Sequence, residues 1–401
     1  MLPAKPKMVR ITTVPVSLLV LLGDQLQFMS DHFDITAVSA SGPELQKLEQ
    51  KHGIRTKAIE MTRKITPLKD LTALRKLYRL LKDEKPQIVH THTPKAGLLG
   101  MIAAKLAGVP IRLHTVAGMP LLEATGVKRK LLELTERITS ACATHVYPNS
   151  EVMKDIICEH KYCEPSKMKV IGHGSSNGVN TRHFDPALYT EAANQEKRRE
   201  WGIAPDDLVY LFIGRIVKDK GITELVKAFK KISQHNQRVK LLLVGPFERD
   251  LDPLDADIEK EIETNPSIIW TGFQSDVRPF FAISDLFVFP SYREGFPNVV
   301  MQAGSMSIPS IVSDINGCNE IIEEGKNGVI VPVKDVKSLQ RAMESLTNNA
   351  QLRHQMAETC RDLVVSRYDQ QYVMNELLTE YEARIAELQP EAAVNLVTEN
   401  A

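Results

Sequence analysis

The sequence predicts an α/β protein built from two doubly wound, parallel-sheet domains. Its 401 residues exceed what one hydrophobic core usually organises, so two domains are expected. Short β-rich segments alternate with helical patterns along the chain, which is typical of parallel sheets covered by helices on both faces. The glycine- and serine-rich segment Gly172–Val179 interrupts this alternation and marks a boundary.

The first domain is predicted to span residues 1–180. Its helical patterns include Pro94–Ala107 and Lys128–Cys142. The segments predicted as strands are Val9–Val14, Ile35–Ser39, Ile88–Thr91, Ile111–Thr115, His145–Tyr147 and Lys169–Ile171.

The second domain is predicted to span residues 181–367. The long helical pattern over 368–388 has no strand after it and is expected to pack back on the first domain, and 389–401 is expected to be a disordered tail. The segments predicted as strands are Tyr210–Ile213, Lys240–Val244, Ile268–Trp270, Leu286–Phe289, Ser310–Val312 and Val329–Val331.

Composition places the chain among soluble globular proteins, with 43% hydrophobic and 25% charged residues. No segment approaches the roughly 20 apolar residues of a membrane span. Val14–Leu22 is interrupted by polar and proline residues and is not expected to be a signal peptide. The five cysteines form no Cys-x-x-Cys pair, which favours a reducing cytoplasm and argues against a zinc site.

Charge is divided unevenly although the net charge is zero. Residues 1–180 contain 26 Lys and Arg against 16 Asp and Glu, and the remainder contains 24 against 34. The basic residues concentrate in Lys51–Lys85, where leucines recur at helical spacing and indicate an amphipathic basic helix. This face either is solvated or contacts an anionic membrane surface or lipid phosphate. A nucleic acid partner is not expected, since interleaved aromatic residues are lacking.

Two glycine-containing turns each follow a predicted strand and precede a predicted helix. The first is Gly214–Gly221, which contains Arg215 and Lys220, and the second is Glu294–Val299. A turn of this kind brings free backbone amides and the positive end of a helix dipole to one point. With two cationic side chains added, the pattern predicts a diphosphate-binding site at the carboxyl ends of the strands.

The residues in these motifs resemble glycosyltransferase family 4, especially its bacterial capsule, exopolysaccharide and O-antigen transferases. The resemblance covers nearly the whole chain. It is carried in chain order by His90–Gly97, Asn177–Asn180, Gly214–Gly221, Glu294–Val299 and Gly317–Ile322. It implies the GT-B fold, in which two Rossmann-like domains face a central cleft, and a retaining transfer of sugar from a nucleotide sugar, usually a UDP-sugar.

The resemblance also implies roles for residues of the second domain. Arg215 and Lys220 match the family's phosphate-binding cations, and Glu294 matches the carboxylate that contacts the donor sugar. No cofactor is implied, and a metal-independent reaction is expected. Donor-binding residues are expected to be Gly214, Phe296, Pro297, Asn298, Val299 and Gln302.

The chain departs from the family pattern at two positions. Gln302 stands where a second glutamate usually contacts the ribose, and an amide makes a weaker hydrogen bond than a carboxylate. Ala117 stands where relatives usually have a histidine that contacts the donor sugar. Strand alternation puts His114 on the opposite face from Ala117, which argues against His114 as a substitute.

Candidate acceptor-side residues lie in the first domain. His90 and His92 share one face at a strand end, and with no evident third ligand they are expected to shape an acceptor site rather than bind metal. His114 is a further candidate. Lys128 and Arg129, at a predicted helix start, either meet an acceptor pyrophosphate or face water.

The expected function is sugar transfer to a polyprenyl-diphosphate-linked saccharide at the inner face of the cytoplasmic membrane. A transferase with a soluble or protein-linked acceptor is an alternative. Gln302 and Ala117 motivate another, a catalytically weakened family member that acts as a scaffold in glycan assembly. A dinucleotide-dependent oxidoreductase fits the fold, but no Gly-x-Gly-x-x-Gly motif follows the first strand.

Overall fold

A computed structural model describes residues 5–62, 64–119, 121, 124–250 and 252–388. The chain divides into two compact units. The first unit comprises residues 1–177 and 371–401, and the second comprises the continuous segment 178–370. The predicted tail, 389–401, lies outside the described residues.

The first unit contains a six-stranded parallel sheet. Its strands are β1 (Lys7–Ile11), β2 (Asp34–Ser39), β3 (Arg55–Ala58), β4 (Ile88–His92), β5 (Ile111–Val116) and β6 (His145–Pro148). Its helices are α1 (Gly23–Ser30), α2 (Pro43–His52), α3 (Pro67–Glu84), α4 (Pro94–Ala107), α5 (Gly126–Cys142) and α6 (Glu151–Glu159).

The second unit contains another six-stranded parallel sheet. Its strands are β7 (Leu208–Ile213), β8 (Val239–Val244), β9 (Ile268–Trp270), β10 (Leu286–Phe289), β11 (Ser310–Ser313) and β12 (Gly328–Val331). Its helices are α7 (Glu191–Glu200), α8 (Ile222–His235), α9 (Ala256–Thr264), α10 (Arg278–Ala282), α11 (Asn298–Ser305), α12 (Cys318–Ile321), α13 (Val336–Asn348) and α14 (Ala350–Tyr368).

The two sheets share one topology. The strand orders are β3-β2-β1-β4-β5-β6 and β12-β11-β10-β7-β8-β9, so in each sheet the first and fourth strands lie side by side. The chain reverses its direction of progress across the sheet at that pair. Ligands of such sheets bind at the carboxyl ends of the strands beside this reversal. The carboxyl ends of β1 and β4, and of β7 and β10, are therefore where functional residues are expected.

Helices cover both faces of the strands, which explains their continuous apolar sequences. All four residues of β10 and the last five of β7 are buried. The last helix, α15 (Gln370–Ala386), contributes Leu377 and Tyr381 to the core of the first unit. Glu380 on the same helix accepts hydrogen bonds from Tyr147 (3.0 Å) and Lys169 (2.5 Å).

The first sheet differs from the sequence prediction in three places, the smallest being that the strand predicted over Val9–Val14 ends at Ile11. The edge strand β3 was not predicted, because its side chains are largely exposed and lack an apolar pattern. The predicted strand Lys169–Ile171 is wrong, because the chain there forms only an isolated bridge between Met168 and Val146.

The basic stretch Lys51–Lys85 is only partly helical. It contains the end of α2, strand β3 and the helix α3, which begins at Pro67. Arg63 lies outside the described residues.

All five cysteines are free thiols. No helix within the described residues is both long enough and apolar enough to cross a bilayer.

Candidate active site

The two predicted phosphate-binding turns lie side by side in the second unit. Strands β7 and β10 are hydrogen-bonded neighbours at the reversal of strand order, and each turn begins at the carboxyl end of one of them. Gly221 brings the turns into contact. Its φ is +71°, and a Cβ there would lie 2.0 Å from the carbonyl oxygen of Pro290, so only glycine is accommodated. The close approach at Gly221 places the residues of the two turns within reach of each other.

Lys220 and Glu294 form an ion pair across the two turns. Nζ of Lys220 lies 2.5 Å from Oε1 of Glu294, and both side chains are mostly buried, with 14% and 18% exposed. Ser291 donates its hydroxyl to the same carboxylate oxygen at 3.0 Å. The carboxylate of Glu294 is therefore held by two partners while keeping partial access to solvent.

Arg215 lies on the same edge of the sheet and is also paired with a carboxylate. Its Nη1 is 2.8 Å from Oε2 of Glu248, which follows β8. The hydrogen bond to Glu248 raises the pKa of Arg215, against a smaller effect of burial and with further contributions from nearby Asp219 and Glu294. Two basic side chains thus lie at the carboxyl edge, and each has a carboxylate partner that an incoming anion could displace.

Helix α11 directs its N-terminus at this edge. Pro297 is the N-cap and Asn298 the first helical residue, so the backbone amides of the first turn are not capped by a side chain. The turn before the helix is held from the other side by Asn316, whose side-chain amide donates to the carbonyl of Gly295. Gly317 (φ +77°) packs so closely that a Cβ would lie 2.7 Å from that carbonyl oxygen.

Gln302 lies one turn into α11, four positions after Asn298, and so on the same helix face. Its side chain is half-buried and makes no hydrogen bond to the residues that the structure describes. Phe296 packs instead against the ring of Tyr368, with ring centroids 5.4 Å apart. Gly214 directly follows β7 and begins the first of these loops. Val299 is the second residue of α11 and ends the other.

The three candidate histidines of the first unit, His90, His92 and His114, are buried on two different faces of its sheet. The rings of His90 and His92 stack, with centroids 4.4 Å apart, which confirms that they share a face. His114 bonds to the hydroxyl of Thr91 on the opposite face, where the ring abuts Gly97 of α4. Burial lowers the pKa of His114 to about 4, and holds the pKa of His90 and His92 well below the ordinary value.

The basic residues at the start of α5 are on the surface. Lys128 is exposed. Nε of Arg129 lies 3.0 Å from Oε1 of Glu133, one helical turn further along α5. No hydrogen bond or ion pair among the described residues joins either of them to the buried histidines, so no observed contact gathers the predicted acceptor-side residues into one cluster.

Several residues of these sites were not predicted from the sequence. Glu248 and Asn316 meet their partners only through the fold, and no local sequence pattern predicts these contacts. Ser291 could have been found, because it is a polar residue two positions after the apolar strand β10 and close in sequence to the second predicted phosphate-binding turn. Among the residues that the structure describes, no group of three or more His, Cys, Asp or Glu side chains could hold a metal ion.

Two family profiles match the chain, one in each half. Residues 23–174 match the profile described as "Glycosyl transferase 4-like domain", and residues 193–362 match "Glycosyl transferases group 1". The chain belongs to glycosyltransferase family 4 and is a glycosyltransferase of polysaccharide synthesis.

Two relatives align in sequence with most of this chain. The capsular polysaccharide biosynthesis glycosyltransferase CapM of Staphylococcus aureus is 34% identical over 382 residues, 95% of this chain and 98% of that protein. The UDP-Gal:alpha-D-GlcNAc-diphosphoundecaprenol alpha-1,3-galactosyltransferase of Escherichia coli is 31% identical, over 85% of this chain and 86% of that protein.

Solved structures share the fold. A glycosyltransferase from Rickettsia africae has a TM-score of 0.80 at 20% identity, covering 95% of this chain and 99% of that chain. Alr3699/HepE of Anabaena, solved in complex with UDP, has a TM-score of 0.79 at 17% identity, covering 94% of this chain and 100% of that chain. These similarities confirm the predicted two-domain, Rossmann-like GT-B fold.

Proposed function

We propose that this glycosyltransferase takes its sugar from a nucleotide diphosphate sugar, with UDP as the favoured nucleotide. The observation that carries the proposal is the convergence of Lys220, Arg215 and the N-terminus of α11 at the carboxyl edge of β7 and β10. Cations and helix amides of this kind bind diphosphates. The HepE structure contains UDP and the E. coli relative is named for UDP-Gal, which favours the uridine nucleotide.

The same groups stabilise charge during the reaction. As the bond between the anomeric carbon and the diphosphate breaks, negative charge accumulates on the leaving phosphate oxygen. Ion pairs with carboxylates already hold Lys220 and Arg215 at the edge of the sheet. These side chains therefore need to move little to contact the leaving phosphate. Because two side-chain cations supply the positive charge, the proposed reaction requires no metal ion.

Glu294 takes a second role once the diphosphate attracts Lys220. Its carboxylate stays fixed by the hydroxyl of Ser291 at 3.0 Å, and is free to accept hydrogen bonds from hydroxyl groups of the donor sugar. Glu294 therefore exchanges Lys220 for the sugar hydroxyl groups as its partner, and its carboxylate is not left buried and unpaired.

The nucleotide base is expected further along the same edge of the sheet. The loops after β7, β8 and β9 are successive neighbours there, because the strands are adjacent in that order. Phe273, in the loop after β9, is 74% exposed and offers a ring on which a base could stack. Neighbouring strands are about 5 Å apart, so the loop after β9 begins about 10 Å from the loop that contains Arg215. This separation is comparable to the length of a nucleoside.

The proposed acceptor is a saccharide on a polyprenyl diphosphate, reached at an anionic membrane surface. The E. coli relative is named for an acceptor on diphosphoundecaprenol. Helix α3 buries Ala73, Leu77 and Leu81 but leaves Leu68 and Leu71 85% and 46% exposed. The exposed basic residues of α3 are Lys69, Arg75, Lys76, Arg79 and Lys82. Exposed leucines beside clustered cations are typical of helices that lie on anionic bilayers.

The donor proposal is tested by a thermal-shift and calorimetric screen of the full chain against UDP, GDP, ADP and their common sugars, with and without Mg²⁺. Selective stabilisation by a uridine nucleotide without metal is the expected result. Equal stabilisation by all three nucleotides would contradict the preference for uridine, and stabilisation only in the presence of Mg²⁺ would contradict metal independence. Proton NMR of the first product formed tests retention of the anomeric configuration.

Membrane contact is tested by flotation of the full chain with vesicles of phosphatidylcholine, with or without 30 mol% phosphatidylglycerol. Binding is expected only to the anionic vesicles at low salt, and it should weaken when Leu68 and Leu71 are both replaced by serine. The matched control is Leu188→Ser, which removes an exposed leucine (59%) from the second unit. Equal binding of both variants would contradict the assignment of the surface to α3.

A further inference from the structure

Arg10 is a fully buried cation whose partners are all neutral. It lies on β1, at the reversal of strand order in the first sheet, and none of its surface is exposed. Its guanidinium donates to the hydroxyl of Tyr381 at 2.8 Å, to Oε1 of Gln25 at 2.5 Å and to Nε2 of His92 at 2.7 Å. Nε of Arg10 has no partner among the described residues. A buried charge without a counter-ion is costly and calls for a compensating anion.

The hydrogen bonds that start at Arg10 have a fixed direction. Arginine only donates, so the oxygen of Tyr381 accepts from it and can donate its own hydrogen to Nδ1 of His90, 2.6 Å away. Neutral His90 then carries its hydrogen on Nε2 and donates to Oγ1 of Thr115 at 2.7 Å. This arrangement leaves no hydrogen unpaired around Tyr381, which is fully buried. The hydroxyl hydrogen of Thr115 remains for a further acceptor.

His92 is oriented by the same cation. Because Arg10 donates to its Nε2, the neutral ring carries its hydrogen on Nδ1. That Nδ1 has no hydrogen-bond partner among the described residues. Burial, and after it the charge of Arg10, holds the pKa of His92 well below the ordinary value, so the ring stays neutral and keeps this tautomer.

His92 and Thr115 both line a small cavity at the carboxyl ends of β4, β5 and β6. Its volume is about 20 Å³, enough for one water-sized group. Ser176 and Asn149 also line it, and Oγ of Ser176 and Oδ1 of Asn149 are buried without a partner among the described residues. The residues that line the cavity therefore carry three possible donors, Nδ1–H of His92 and the hydroxyls of Thr115 and Ser176, and one acceptor without a partner among the described residues, Oδ1 of Asn149.

We propose that this cavity binds one phosphoryl oxygen of the acceptor substrate, through His92 and Thr115, with Arg10 supplying the opposite charge from behind. The inference rests on the proposed function, since it assigns the site to a phosphate of the acceptor. An anionic oxygen accepts from the donors and compensates Arg10. A neutral hydroxyl satisfies the same partners but leaves the cation uncompensated, so it is the competing occupant.

The test uses the full chain labelled with [¹⁵N]histidine and three probes: geranyl phosphate, inorganic phosphate and a methyl glycoside. A phosphate bound at Nδ1–H of His92 is expected to shift its resonances at saturation. Shifts with geranyl phosphate alone indicate a lipid-tethered source, and shifts with both phosphates indicate that the phosphoryl group suffices. No shift with either, or a shift with the glycoside alone, overturns the proposal.

A matched pair of variants separates binding from folding. Thr115→Val removes the hydroxyl at nearly constant size, and Thr115→Ser keeps it. In a Lys220→Ala background, which weakens the proposed diphosphate site of the second unit, Thr115→Val should weaken binding of geranyl phosphate by roughly tenfold or more, and Thr115→Ser should not. Equal affinities in two folded variants would overturn the role of Thr115. Stabilisation of the parent chain by UDP tests the donor proposal separately, so either idea can fail alone.

Discussion

Lys220 and Glu294 are 74 positions apart in the chain, yet Nζ of one lies 2.5 Å from Oε1 of the other. The pair forms because their strands, β7 and β10, are neighbours where the strand order reverses. An anion that recruits Lys220 must release Glu294, so the two events are coupled. Phosphate binding at Lys220 is therefore expected to free the carboxylate of Glu294 to accept hydrogen bonds from a sugar.

Removal of either cation should affect catalysis more than folding. Lys220→Ala and Arg215→Ala are each expected to lower kcat on the order of 10²–10³-fold, because each deletes charge that stabilises the leaving diphosphate. Steady-state kinetics with the donor identified by the nucleotide screen measures this. The control is Lys218→Ala, which removes a cation of the same loop that pairs with Asp255 at the surface (3.1 Å). Near-normal turnover of the Lys220 or Arg215 variant would refute its role.

Gly317 should matter through its contact as well as its backbone conformation. Gly317→Ala places a methyl group 2.7 Å from the carbonyl oxygen of Gly295 and must shift the turn that precedes α11. Gly325→Ala also puts an alanine at positive φ (+78° against +77°), but with nothing within 4 Å of the new methyl group. Each should lose at least about 1 kcal/mol of stability from the positive φ, and Gly317→Ala should lose more because of its clash. Only the former should raise the KM for the donor, and an equal rise in both would contradict this reasoning.

A carboxylate at position 302 should bind the ribose at least as well as the natural amide. Gln302→Glu is expected to leave nucleotide affinity unchanged or to tighten it, because hydrogen bonds to an ionised acceptor are stronger. Gln302→Ala serves as the comparison and should weaken binding. Isothermal titration calorimetry with UDP measures all three. Marked weakening by the glutamate would mean that Gln302 contacts something other than ribose hydroxyls.

Glu136 should make stability depend on pH. Its side chain is buried on α5, and burial raises its pKa to about 7 from 4.5. The native state thus holds a proton that the unfolded chain has lost, so stability falls as pH rises from about 4.5 to 7 and then levels off. Glu136→Gln should recover up to about 3 kcal/mol at pH 8 and change little at pH 4.5.

Thermal denaturation at the two pH values checks this, with the exposed Glu382→Gln as the control. A gain that is equal at both pH values would show that ionisation of Glu136 is not the cause.

The periodic parts of the fold were predictable because each is a local signal. All six predicted strands of the second sheet are confirmed, since strands buried on both faces are continuous apolar runs. The edge strand β3 has no such run, as its residues are largely exposed. Strand-end glycines likewise marked the two turns that are predicted to bind phosphate, and the close approach at Gly221 explains why glycine stands there.

The partners of the site residues were not predictable in the same way. Glu248 reaches Arg215 across 33 positions, and Tyr381 reaches Arg10 across 371. Such pairs depend on which strands become neighbours and not on any local pattern. The histidines of β4 illustrate both a property that a local pattern predicts and one that depends on the fold. Their shared face followed from strand alternation, but the cation that orients His92 could be found only in three dimensions.

The helix α15 has a consequence for how the chain is made. Synthesis delivers residues 178–370 as one uninterrupted segment, so the second unit is complete while α15 is still being added. Synthesis of the first unit begins earlier, but Arg10 and His90 can form their hydrogen bonds to Tyr381 only after α15 has been made. Of the two units, the first is thus the later to be completed, and until then the buried Arg10 lacks one of its three acceptors. A chain that ended at Gln370 would contain the whole second unit but only an incomplete first unit.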